Sequence, residues 1–102
     1  MATYDVLYDQ RASDELHELS RRDQTSIRAA VERHLFNQPT RVSRTAIKRL
    51  DPPVVATYRL RVGEYRVFYD VDDQAAIVHI VAIWRKGRKS TGEVLNDPHD
   101  RS

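Results

Sequence analysis

The chain contains no cysteine, which excludes disulfides and thiolate metal sites and suits a reducing cytoplasm. No apolar run approaches the roughly 20 residues that a membrane span needs. The opening MATYDVLYDQ has neither the basic stretch nor the apolar core of an export signal, so a cytoplasmic location is expected. Glycine is scarce, with three in 102 residues. There is no glycine-rich phosphate loop, no nucleophile elbow and no acid pair placed for glycoside hydrolysis. His17, His34, His79 and His99 stand at no metal-ligand spacing, so neither a metal nor a cofactor is expected. His79, mid-strand among Val and Ile, reads as a hydrogen-bonded core histidine.

A chain of 102 residues can bury one hydrophobic core without staples. Residues 1–95 are read as a single domain and 96–102 as a flexible tail. Net charge is only +2, but it is unevenly spread. Residues 1–40 hold five arginines against seven acids, whereas Arg41 to Tyr69 hold seven Lys or Arg against two acids. A second basic run, RKGRK, spans Arg85 to Lys89. Such a layout suits a polyanionic ligand or an acidic partner; a merely solvated face is the plainer alternative.

The stretch YRLRVGEYRVFYDV, Tyr58 to Val71, alternates apolar and polar residues on both sides of Gly63-Glu64. That predicts two half-buried strands joined by a type II′ turn. The expected register sets Val62 against Tyr65, Arg61 against Arg66, Leu60 against Val67, Arg59 against Phe68 and Tyr58 against Tyr69. One face is then apolar, and the other holds Arg59, Arg61 and Arg66 around Phe68. Like charges directly opposite are destabilising. The Arg61/Arg66 pair therefore implies either a bound anion between them or a solvated face with one guanidinium swung away or paired with Asp70.

Around this hairpin, TYDVLYD (Thr3 to Asp9) alternates as a first strand. Ala12, Leu16 and Leu19 mark one face of a helix over Gln10–Ser20. Ile27, Ala30, Val31, Leu35 and His34 mark a second over Asp23–Asn37, stopped by Pro39. Thr40 to Val55 reads as a basic loop carrying Lys48 and Arg49. Ala75 to Trp84 reads as a central strand buried on both faces, with Trp84 in core or rim. A weak helix is expected around Ser90 to Leu95. The order implies an α+β domain: a four-stranded, mainly antiparallel sheet with a helical hairpin on one face and the arginine face open.

The N-terminal strand, the helical hairpin ending in NQP, the basic IKRL, YRLRVGEYRVFYDVDD and the closing apolar strand together resemble the RelE/ParE superfamily of toxins from bacterial type II toxin–antitoxin modules. The resemblance covers about residues 3 to 85. It implies a β-α-α-β-β-β toxin neutralised by a cognate antitoxin, for which an acidic amphipathic segment lying in the groove beside the sheet is expected. It also implies one of two targets: messenger RNA in the ribosome, or DNA gyrase. For the RNA-cleaving branch it implies catalytic roles for Arg61, Arg66 and Arg85. Lys48, Arg49, Arg59, Phe68, Lys86, Arg88 and Lys89 would then bind RNA or phosphate. Members of that branch often carry a His or Tyr just after the last strand, and Trp84 to Leu95 contains neither. Messenger-RNA cleavage, gyrase poisoning and a non-toxic basic interaction domain therefore stand as alternatives.

Overall fold

The computed structural model describes residues 3–51 and 56–86. Pro52-Pro53, Arg88, Lys89 and the expected tail helix lie outside them. The elements run β1 (Asp5–Tyr8), α1 (Gln10–His17), α2 (Arg21–Leu35), β2 (Ile47–Arg49), β3 (Tyr58–Val62), β4 (Tyr65–Asp72) and β5 (Ile77–Arg85). The sheet has five strands in the order β1-β5-β4-β3-β2, parallel between β1 and β5 and antiparallel elsewhere. The α+β architecture is the expected one, with a fifth strand added. That strand, β2, lies within the segment read as a loop. Only three residues long, with Ile47 buried and Lys48 and Arg49 exposed, it is too short to display a period.

Both helices start where short polar side chains accept orphan backbone N–H groups. Asp9 Oδ1 accepts from Ala12 N and Ser20 Oγ from Asp23 N. Helix α1 stops three residues before its expected end, and α2 begins and ends two residues earlier than expected. Ala12 and Leu16 of α1, with Ile27, Val31 and Leu35 of α2, are buried against Leu60, Val67, Tyr69, Val78 and Ile80 of the sheet. Leu19, beyond the end of α1, packs half-buried on the same core.

Strand β5 contains a bulge. Phe68 faces Ala82 and Tyr69 faces Ile80, so Val81 is the extra residue. Val78, Ile80 and Ile83 point to the helices, while Val81, Ala82 and Trp84 join a second small cluster with Leu50, Ala56 and Phe68 on the other face. Only this end of β5 is covered on both sides. His79 lies on the far face beyond the bulge, opposite Asp70, and is exposed, which corrects its reading as a core residue.

Tyr69, fully buried, donates its hydroxyl to the Pro39 carbonyl at 2.6 Å and so ties the segment after α2 to the sheet. Burial holds its phenol above the usual tyrosine value of 10.0. Its contribution to stability is complete below about pH 10 and is lost as pH rises further, where the unfolded chain ionises first. Tyr69→Phe should therefore flatten the alkaline decline by about 1.4 kcal/mol per pH unit, while costing about 1–2 kcal/mol at pH 8 through the lost hydrogen bond. Urea denaturation at pH 8 and at pH 11 checks both.

Candidate anion-binding face

The hairpin has the expected register at all five pairs, including Arg61 against Arg66 and Arg59 against Phe68. Gly63 takes φ of +57° while Glu64 stays at negative φ, the pattern of a type II′ turn. Strand β2 extends the row, because Lys48 is the cross-strand partner of Arg59. Lys48, Arg59, Arg61 and Arg66 thus share the face turned away from the helices.

The crowding is relieved from within. Arg66, only 7% exposed, folds its guanidinium back so that Nη1 donates to the Gly63 carbonyl at 3.0 Å and to its neighbour Tyr65's carbonyl at 2.9 Å. Burial and the nearby Arg61 charge lower its pKa. Arg59 is half-buried, and its Nε is buried with no hydrogen-bond partner. Burial first, then the charges of Arg66 and Arg61, lower its pKa as well. Arg61 is exposed. Asp70 pairs with none of them; its Oδ1 accepts from Thr57 N at 2.7 Å. Among the described residues the ion pairs are Arg11–Glu15 and Arg85–Glu64, so no carboxylate neutralises this group of four cations.

The other expected site residues fall elsewhere. Arg49 is exposed on the helix side, where its guanidinium lies 5.9 Å from the ring centre of its partner Tyr58. Arg85 is paired in register with Tyr65, and its guanidinium bonds Glu64 at 2.7 and 3.0 Å. Those bonds raise its pKa. The neighbour of Arg66 on β5 is instead Trp84. Lys86 is exposed and donates its backbone N–H to the Glu64 carbonyl. Phe68 is 1% exposed, so it supports the face from beneath and offers no stacking surface. Its ring lies 5.2 Å from that of Trp84, tilted 57°. Among the described residues no cluster of His, Asp and Glu could hold a metal ion.

One feature of this corner is invisible in the sequence. Glu15 of α1 accepts from Trp84 Nε1 at 2.6 Å and from the backbone N–H of Ile83 at 2.9 Å. Arg11, one helical turn earlier, contacts the same carboxylate at 3.4 Å and lays its guanidinium 4.7 Å from the Trp84 ring centre. Glu15 and Trp84 are 69 residues apart, and only the i, i+4 spacing of Arg11 and Glu15 hints at a pair.

A mixed five-stranded sheet backed by a helical hairpin is the α+β architecture of RelE toxin structures. Residues 6–89 match the family described as the ParE toxin of type II toxin–antitoxin system, parDE, and the chain belongs to that family. A chain of the Mycobacterium tuberculosis toxin–antitoxin complex RelBE2 superposes with a TM-score of 0.73 at 27% identity, covering 84% of this chain and 94% of that one. For the archaeal RelE–RelB complex from Pyrococcus horikoshii the TM-score is 0.64 at 23% identity, covering 86% and 100%. The Escherichia coli RelBE complex gives 0.52 at 18%, covering 84% and 99%. The last two likenesses concern the fold alone. A comparison with curated proteins gives no significant sequence match. The protein is thus the toxin component of a RelBE/ParE-type module.

Glu15→Ala should lower stability by about 2–3 kcal/mol, since it strands two donors. Glu15→Gln should cost about half of that, as its amide oxygen still accepts. Urea titration followed by Trp84 emission measures both effects.

Proposed function

We propose that this toxin inhibits translation in the RelE manner, cleaving ribosome-associated messenger RNA on the face built from Lys48, Arg59, Arg61 and Arg66. The observation that carries the reading is a set of four cations without a carboxylate partner. An exposed Arg61 beside a half-buried Arg59 is suited to phosphate oxygens, because arginine forks hold such oxygens bidentately while staying charged. In cleavage the substrate 2′-hydroxyl attacks the adjacent phosphorus. The O2′–P bond forms, the P–O5′ bond breaks, and Arg59 and Arg61 offset the charge that builds on the phosphorane. Arg66, committed to the turn, holds the hairpin in shape for them.

The reaction also needs one group to take the 2′ proton and another to protonate the 5′ oxygen, tasks unsuited to arginine. That demand, the pairing of Arg85 with Glu64 and the ParE family match favour a second reading, a non-nuclease toxin that poisons DNA gyrase. Both readings include a cognate antitoxin, as in the complexes formed by the structural relatives. An acidic amphipathic segment would neutralise the open cations.

Pulse labelling after induction separates the two: rapid loss of protein synthesis supports messenger-RNA cleavage, whereas a DNA-damage response with protein synthesis intact supports gyrase poisoning. Arg61→Ala should leave the thermal midpoint unchanged or slightly raised and abolish growth arrest. Arg66→Ala should instead lower stability by about 1–3 kcal/mol, because it removes a buried donor shared by two carbonyls. Full toxicity of Arg61→Ala would remove the face from the mechanism.

A further inference from the structure

We infer that the anion-binding face continues across β5 to Arg11 of α1, whose guanidinium contacts a further phosphate of the nucleic-acid strand bound there. The inference rests on the proposed reading of the basic face. In register, Arg61 on β3 faces Arg66 on β4, and Arg66 faces Trp84 on β5, so these three residues form one row across the sheet. Arg11 caps the far end of that row, with its guanidinium carbon over the Trp84 ring at 4.7 Å from its centre. Strand spacing of about 4.8 Å makes the row from β3 to β5 about 10 Å long, before the reach of α1 is added.

Arg11 is not consumed by its ion pair. The contact with Glu15 is long, 3.4 Å through Nε, and that carboxylate already accepts two shorter hydrogen bonds, from Trp84 and Ile83. Among the described residues the Arg11 side chain makes no other hydrogen bond. Beside the indole the Arg11 side chain keeps 38% of its surface exposed. Glu15 therefore fixes the indole and steadies the guanidinium, leaving the terminal nitrogens of Arg11 open to a ligand.

A compact anion cannot contact both ends of such a row. A single strand can, because its linked phosphates track a line of cations. The plainer alternative is that Arg11 only clips α1 to the sheet.

Trp84 is the sole tryptophan and reports directly on this corner. The test is titration of the purified chain with a short oligothymidylate, which lacks the 2′-hydroxyl and is not cleaved by 2′ attack, at several salt concentrations. Trp84 emission is followed, with circular dichroism on every variant. The wild type should bind with a change in emission. Arg11→Gln should bind at least threefold more weakly, with the slope of log K against log salt reduced by about 0.7, the value for one lost single-strand phosphate contact. Arg11→Lys should recover the slope, and it decides the matter if Arg11→Gln does not fold. If Arg11→Gln folds and keeps the wild-type affinity and slope while Arg61→Ala loses binding, the basic face stands and Arg11 is a clip. A slope for Arg11→Lys as low as that of Arg11→Gln would also overturn the inference. A wild-type chain that does not bind the oligonucleotide overturns both the inference and the reading beneath it.

Discussion

Two arginines set opposite each other across a tight hairpin are the constraint around which the open face is arranged. The turn at Gly63-Glu64 leaves no freedom of register, so Arg61 and Arg66 must be neighbours. Folding Arg66 onto the carbonyls of its own turn satisfies one cation internally. It also makes the turn stiffer, which fixes where Arg61 and Arg59 stand. What remains is a half-buried Arg59 and an exposed Arg61 with no anion of the protein's own beside them. Repulsion retained in this way is a standing bias toward binding a ligand that carries negative charge.

The rest of the fold supports that hairpin on two sides. Beneath it, the helices seal the apolar face through Leu60, Val67 and Tyr69. Above, the bulge at Val81 re-aims β5 so that Ala82 and Trp84 cover Phe68. Glu15 then closes the exposed edge of β5, giving Ile83 N an acceptor where β1 no longer pairs, since β1 ends opposite Ile80. One helix thereby serves both faces: its Leu16 packs in the main core and its Glu15 holds the tryptophan of the other.

The parts legible in the sequence are those governed by local periodicity. The hairpin register followed from alternation around a glycine, and both helices from their apolar spacing. Three features were not legible, each for a physical reason. Strand β2 is too short to show alternation. The extra residue at Val81 reverses the sidedness along an apolar run, so alternation assigns no faces from Val78 to Trp84 and His79 reads as core. The Arg11–Glu15–Trp84 contact joins residues that no local pattern relates. Burial of Arg66 and Phe68 likewise depends on what packs above the sheet, which strand period does not reveal.

The central claim is that the uncompensated cations form a binding site for anions rather than a solvated surface. Thermal unfolding in inorganic triphosphate, compared with sodium chloride at matched ionic strength, tests it most directly. A specific site predicts a saturable rise in midpoint with triphosphate beyond that in chloride, following the mass-action law for a ligand bound only by the native state, and loss of that excess in Arg61→Ala. Identical midpoints in the two salts, or an undiminished excess in the variant, would contradict it.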